Sequence, residues 1–336
     1  MEEMKMEYGT VDGLVLPVSR IVLGSVFRPG CDPAACHAIM DLAFENGINC
    51  FDTAHLYANG DADRTIGRWM EKRGNRDKMV ILSKGCHHSA DRRRVTPHDL
   101  DSDLHDILAR MKTDYVDMFV LHRDDESVPV GPIVEALHRH WEAGRIRTYG
   151  GSNWTWQRLR EANEYAAAHD LRPFTVSSQH FSLAEQVMDP WGGGCVSVAG
   201  PKEEVARIWH RENRMPLFAY ASLSGGFFSG RFSRESFEQE KARGTIDGVC
   251  IRAYCYPDNF ERLDRTFFLA DKKGLTVPQI AIAYVLGYAA HGLLDTFALV
   301  GAMTESELMM DLAAVGIALT MEELEWLDLR RNALSD

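Results

Sequence analysis

One pattern constrains this chain more than any other. A short apolar run, a loop and an amphipathic helix follow one another eight times, with no break in composition between the units. The apolar runs at residues 21–23, 48–51, 80–82, 115–121, 146–149, 175–178, 216–220 and 297–300 read as strands. The run at 115–121 is nearly all apolar, as a strand covered on both faces must be. Between the strands, helices are expected over 33–46, 61–72, from Thr96 to about Met111, through Ile133, Leu137 and Trp141, and over 155–169 and 202–213. Two more, 257–273 and 278–290, precede the last strand, and 306–314 follows it. Thr96 offers an N-cap oxygen, Pro97 suits the first turn, and Leu100, Leu104, Ile107 and Met111 repeat at the spacing of one buried helical face. Gly144 stops the helix before the fifth strand.

Eight strand–helix units in series predict a (β/α)8 TIM barrel in the α/β class, as a single domain over 1–336. Residues 6–8 and 14–17 flank a turn at Gly9 and Asp12-Gly13, which reads as an N-terminal β-hairpin closing the barrel floor. The irregular stretch 184–200, with Gly192-Gly193-Gly194, is expected over the mouth after the sixth strand. A doubly wound sheet is the competing fold. It binds dinucleotide through a glycine-rich first turn, and here that turn reads Leu23-Gly24-Ser25-Val26-Phe27.

The net charge of −12 argues against nucleic acid or an anionic membrane as the main partner. The longest apolar stretch, 280–294, contains Gly287 and His291 and is too short to span a bilayer. Seven cysteines without a CxxC pair, behind a polar N-terminus, suggest reduced thiols and a cytoplasmic setting. No zinc-ligand spacing is present.

In a barrel, chemistry sits at the C-terminal ends of the strands. Asp52 ends the second strand, Tyr57 lies in the loop after it, Lys84 ends the third and His122 ends the fourth. Singly, each has a plain structural explanation: a turn cap, a rim residue, a solvated strand end, a core histidine. Together they can hand a proton to a carbonyl oxygen. A phenol with pKa about 10 is a slow acid, and a neighbouring ammonium is expected to lower that value. Asp52 would hold Lys84, and His122 would hydrogen-bond the substrate oxygen.

The segment Gly47-Ile48-Asn49-Cys50-Phe51-Asp52-Thr53-Ala54-His55-Leu56-Tyr57 resembles the aldo–keto reductase signature. So do Ile81-Leu82-Ser83-Lys84 and Tyr115-Val116-Asp117-Met118-Phe119-Val120-Leu121-His122, and the likeness continues through Gly151-Ser152-Asn153, Gln179, Tyr220 and Gly301. The resemblance implies a metal-free barrel that uses NADP(H) or NAD(H) to interconvert a small carbonyl substrate and its alcohol. It makes Tyr57 the proton donor, Lys84 and Asp52 its tuning pair, and His122 the orienting group. By the same resemblance Ser152, Asn153 and Gln179 hold the nicotinamide carboxamide and Tyr220 stacks under its ring. Ser222, Leu223 and Ser224 meet the pyrophosphate, and the segment carrying Gly301, Met303, Thr304, Glu307 and Asp311 lies beside the adenosine.

That last segment departs from the pattern. It has no Arg or Lys for a 2′-phosphate and carries carboxylates instead, so NADH or dual use is expected unless Arg231 supplies the cation. His87, His88 and the run Arg92-Arg93-Arg94 are candidates for the pocket rim or for an anionic substrate group, as are Phe27, Trp154 and Trp191 for its walls. Two other functional classes fit a barrel of this size: a nicotinamide-binding regulatory subunit with little turnover, and a metal-dependent hydrolase. The latter needs an early His-x-His pair, and the first strand ends instead in Gly24-Ser25. The short tail after Ala314 leans the substrate toward polar carbonyls such as sugars.

Overall fold

A computed structural model describes residues 6–24 and 32–334. Two short strands, Tyr8–Gly9 (β1) and Val18–Ser19 (β2), pair antiparallel. Eight parallel strands then close a barrel: Ile21–Leu23 (β3), Cys50–Asp52 (β4), Val80–Gly85 (β5), Val116–Leu121 (β6), Ile146–Ser152 (β7), Val176–Ser178 (β8), Leu217–Ala219 (β9) and Thr296–Val300 (β10). The sheet runs in chain order and shuts where β10 pairs with β3, Ala298 opposite Ile21. This is the predicted TIM barrel, hairpin included, although the hairpin's second strand falls at 18–19 rather than 14–17. Val11 and Val18 from the hairpin segment pack with Val22, Val80, Phe218 and Phe297 in the barrel interior, so the floor is plugged by side chains.

Helices cover the outside. Those between barrel strands are Pro33–Glu45 (α1), Asp61–Arg73 (α2), Pro97–Met111 (α3), Gly131–Glu142 (α4), Trp156–Ala168 (α5) and Glu204–Glu212 (α6). After β9 come Phe237–Arg243 (α7), Gly248–Tyr254 (α8), Pro257–Lys273 (α9) and Val277–Ala290 (α10); after β10 come Glu305–Leu312 (α11) and Met321–Leu327 (α12). The Thr96 hydroxyl accepts from Asp99 N at 3.1 Å and caps α3. Leu100, Leu104, Ile107 and Met111 of that helix are fully buried, each contributing about 1.5–3 kcal/mol of apolar burial. Gly67 lets α2 approach α3 closely: a Cβ there would lie 2.6 Å from Met111 Cα and O. None of the described helices is long and apolar enough to cross a membrane.

Three parts of the sequence reading are revised. Helices α7, α8 and α12 were not expected, so the loop after β9 is longer and more structured than the 184–200 stretch, and the tail after Ala314 carries a helix. Strands β5 and β7 run on to Gly85 and Ser152, beyond their apolar runs. Trp154 is fully buried and packs on Phe174 with centroids 5.4 Å apart; it belongs to the core, not to a pocket wall. Ser25, Val26 and Phe27 lie outside the described residues.

Candidate active site

Backbone bonds continue the barrel ladder past the strand ends and set the positions of the polar side chains. Thr53 N–H donates to Leu82 O at 2.9 Å, His55 N–H to Lys84 O at 2.8 Å and His122 N–H to Gly85 O at 2.7 Å. The loop after β4 is thereby tied to β5. Tyr57 opens a tight turn in which Ala58 and Asn59 take left-handed backbone angles, φ 49° and 54°.

The four side chains singled out in the sequence meet. Lys84 Nζ donates to Asp52 Oδ1 in a contact that leaves both residues buried, and it also donates to Thr53 O at 3.4 Å. Its ammonium lies 5.2 Å from the centroid of the Tyr57 ring. The Tyr57 and His122 rings stand edge to face with centroids 5.7 Å apart. His87 adds a second edge-to-face contact on His122 at 4.8 Å, and His88 lies 4.2 Å from His87.

Burial sets the proton affinities. It depresses Lys84, but Asp52 and Tyr57 outweigh it and hold the ammonium above its ordinary value, so the cation persists. Burial pushes the Tyr57 phenol above its ordinary value, and Lys84 only moderates the rise. The expectation of an acidified phenol is therefore corrected: desolvation wins over the neighbouring charge, and Tyr57 is protonated throughout the neutral range. Burial, with Lys84 and Arg123 nearby, drives His122 well below the imidazole range, so its ring is neutral. His122 Nδ1 is buried without a partner. A lone pair is the less costly group to orphan there, which puts the proton on Nε2.

Around this centre, the residues at the ends of β7 to β10 form a second cluster. Asn153 is fully occupied by protein: its Nδ2 donates to His122 O and Ser152 Oγ, and its Oδ1 accepts from Tyr220 Oη at 2.7 Å and Val196 N at 3.1 Å. Gln179 donates through Nε2 to Trp154 O at 2.9 Å, while its Oε1 is buried with no partner. Beyond Tyr220 the chain turns sharply. Ala221, Ser224, Gly225 and Gly226 all have positive φ, Ser222 Oγ donates to Ala219 O, and Ser224 Oγ donates to Ser182 Oγ. The register of β9 with β10 sets this turn beside the segment that starts at Gly301. There Thr304 caps α11, and Glu307 Oε2 accepts from Met303 N at 2.9 Å. Arg231 reaches from the loop after β9 and pairs with Glu307 at 2.9 Å. Asp311 is buried without a hydrogen bond or ion pair among the described residues, and burial pushes its carboxyl up to about 7.

The sequence profile of the Aldo/keto reductase family matches residues 20–329. The chain belongs to that family. Curated relatives of this aldo/keto reductase include a probable aryl-alcohol dehydrogenase, AAD4, of Saccharomyces cerevisiae, 27% identical with 86% of this chain and 85% of the relative covered. A norsolorinic acid reductase, stcV, of Emericella nidulans is 25% identical, with 85% and 69% covered. The aldo-keto reductase YhdN of Bacillus subtilis is 25% identical, with 71% and 69% covered. By family and relatives the chain is an oxidoreductase.

Two further residues stand around this site: Trp191, which the sequence offered for a pocket wall, and Arg123, which it did not single out. Trp191 leans on Tyr220 with centroids 5.9 Å apart, on a loop whose Gly192, Gly193 and Gly194 all have positive φ and whose ends are tied to Asp189. Arg123, the residue after His122, is only 6% exposed and curls back so that its Nη1 donates to His122 O at 3.0 Å. The available signal was a charge placed directly behind a strand-end histidine. The run Arg92-Arg93-Arg94, by contrast, is neutralised. Arg92 grips Asp99 through two bonds of 2.7 Å, Arg94 bonds Asp103 at 2.6 Å, and Arg93 bonds Asp125 at 3.2 Å. Among the described residues no group of three or more His, Cys, Asp and Glu side chains is arranged to hold a metal ion.

Proposed function

We propose that this protein reduces aldehydes or ketones with NADPH or NADH, or runs the reverse oxidation, through the site at the C-terminal ends of the barrel strands. The convergence of Tyr57, Lys84, Asp52 and His122 in one buried cluster carries this reading. The nicotinamide, when bound, supplies or takes up the hydride at the carbonyl carbon. The chain's own residues handle the proton. Tyr57 is the donor to the carbonyl oxygen, and its protonated state at neutral pH suits reduction. Lys84, fixed by Asp52, stabilises the phenolate left behind. His122, neutral and donating from Nε2, fixes the angle of the substrate oxygen and stabilises charge developing there.

The cofactor fits the remaining residues unequally. Gln179 Oε1 is an orphan acceptor suited to a carboxamide N–H. Ser152 stands beside it at the end of β7. Asn153 acts on the ring through others, since it already holds Tyr220, Ser152 and the His122 carbonyl in place. Tyr220 gives the nicotinamide a flat surface. Ser222, Leu223 and Ser224 lie in a turn tight enough for backbone N–H groups to face phosphate. Gly301, Met303, Thr304, Glu307 and Asp311 border the adenosine, with Arg231 the nearby cation. A cytoplasmic setting is proposed from the sequence, whose seven cysteines include no CxxC pair.

The test is a panel of aldehydes and ketones with each nucleotide, its oxidation followed optically, in wild type and Tyr57→Phe. Removing the proton donor should lower kcat by about 10²–10⁴-fold while cofactor Kd moves less than about threefold. Turnover persisting in Tyr57→Phe would contradict the assignment, as would the absence of turnover in wild type with any carbonyl.

A further inference from the structure

We propose that the carbonyl substrate carries a carboxylate, and that Arg123 is the residue that binds it. This rests on the reductase reading above and names the substrate class of that same site. The arginine run that follows β5 is matched by acids: Arg92 by Asp99, Arg93 by Asp125, and Arg94 by Asp99 and Asp103. Arg123 is not. Among the described residues no carboxylate pairs with it, its one bond is to the neutral carbonyl of His122, and its Nε is buried without a partner. A guanidinium taken out of water without a counter-charge is costly, and the cost is recovered when an anion arrives.

The location ties this vacancy in charge to the chemistry. The Arg123 side chain stands at the His122 carbonyl, to which Asn153 Nδ2 also donates, and its charge lowers the proton affinity of both Tyr57 and His122, so it belongs to the surroundings of the candidate site. The roof above it is close, since a Cβ on Gly194 would lie 3.4 Å from Arg123 Cδ. Burial holds His87 down to about 4, so the two rim histidines are neutral neighbours that leave Arg123 as the local cation beside Lys84. Lys84 is already paired with Asp52. In a chain of net charge −12, an interior with an unmatched cation next to His122 is a selective trap for a small anion. The guanidinium fork matches the two oxygens of a carboxylate, whereas a phosphate dianion facing one cation keeps excess charge in a buried place. Arg123 follows His122 directly in the chain, so the carboxylate belongs within a few bonds of the reacting carbonyl.

The experiment compares kcat/KM for isosteric pairs that differ only in charge: 4-oxobutanoate against 4-oxobutanamide, and 4-formylbenzoate against 4-formylbenzamide. Glyceraldehyde 3-phosphate against glyceraldehyde is the phosphate arm. Wild type should prefer the acid over the amide by about ten- to a hundredfold in at least one pair. Arg123→Met should bring that ratio to about one, and Arg123→Lys should keep part of it. An acid/amide ratio near one in wild type overturns the proposal. So does a ratio that survives in Arg123→Met, or a preference confined to the phosphate arm. Should no carbonyl be turned over, the reductase reading fails separately. Calorimetry with 4-hydroxybutanoate and 4-hydroxybutanamide on the NADP⁺- or NAD⁺-loaded protein then decides. Tighter binding of the acid that is lost in Arg123→Met upholds the anion site, and equal binding overturns it.

Discussion

At the scale of single residues, Tyr57 is governed by a contest between desolvation and a neighbouring cation, and desolvation prevails. The consequence is a pH profile with a definite shape. A proton donor works in its protonated form, so the reduction rate should stay level through neutral pH and fall only above about 10, where a raised phenol pKa lies. The oxidation, which needs the phenolate, should climb over the same alkaline range. His122 is already neutral near pH 6.5, so no inflection belonging to it is expected there. Rate measurements from pH 6 to 11 in both directions check this, and a reduction rate that halves between pH 7 and 9 would contradict it. The sequence made Asp52, Lys84 and His122 legible because each is a polar residue at the end of an apolar strand, and Tyr57 because it follows one such end within a short loop. It left the sign of the Tyr57 shift and the state of Arg123 illegible. Both depend on how completely each group is enclosed, and enclosure is set by the loops carrying Gly194 and His87, whose contacts follow no periodic pattern.

At the scale of elements, Gly67 shows what the helix packing demands. Replacing it by alanine gains about 1 kcal/mol of helix propensity but drives a methyl to 2.6 Å from the backbone of Met111, which has no rotamer to yield. The clash should dominate, destabilising Gly67→Ala by about 1–3 kcal/mol and lowering Tm by several degrees. A thermal melt equal to wild type would show that α2 and α3 can separate freely. Most elements were readable because a doubly covered strand is continuously apolar and a helix of three or more turns shows its stripe. Helices α7, α8 and α12 escaped because seven residues hold barely two turns, too few for periodicity to register. The capping box of Thr320 and Glu323 was the one local signal for α12. The ends of β5 and β7 escaped for another reason. Ser83, Lys84, Gly85 and Gly150-Gly151-Ser152 break the apolar pattern where the barrel turns polar, and that is where the candidate site lies.

At the scale of the whole molecule, closing the barrel brings the loop after β9 against the helix that follows β10, and Arg231 meets Glu307 across that junction. On the cofactor placement proposed above, this pair bears on the choice between NADPH and NADH, because Glu307 neutralises the cation a 2′-phosphate would need. Glu307→Gln should therefore raise the affinity for NADPH relative to NADH by about five- to tenfold, because glutamine can still accept from Met303 N–H while Arg231 is released. The ratio of the two dissociation constants by fluorescence titration is the check, and an unchanged ratio would place the ribose away from this junction.

The indole of Trp191 stands beside the ring of Tyr220, tilted by 54° with centroids 5.9 Å apart, next to the surface assigned above to a nicotinamide. A nicotinamide laid on Tyr220 would come against the half-exposed indole, so arrival of the nucleotide should change the indole's surroundings and the protein's own emission, in a way that Trp191→Phe abolishes. Such a change would serve as a built-in optical gauge of the loaded fraction, readable without any turnover.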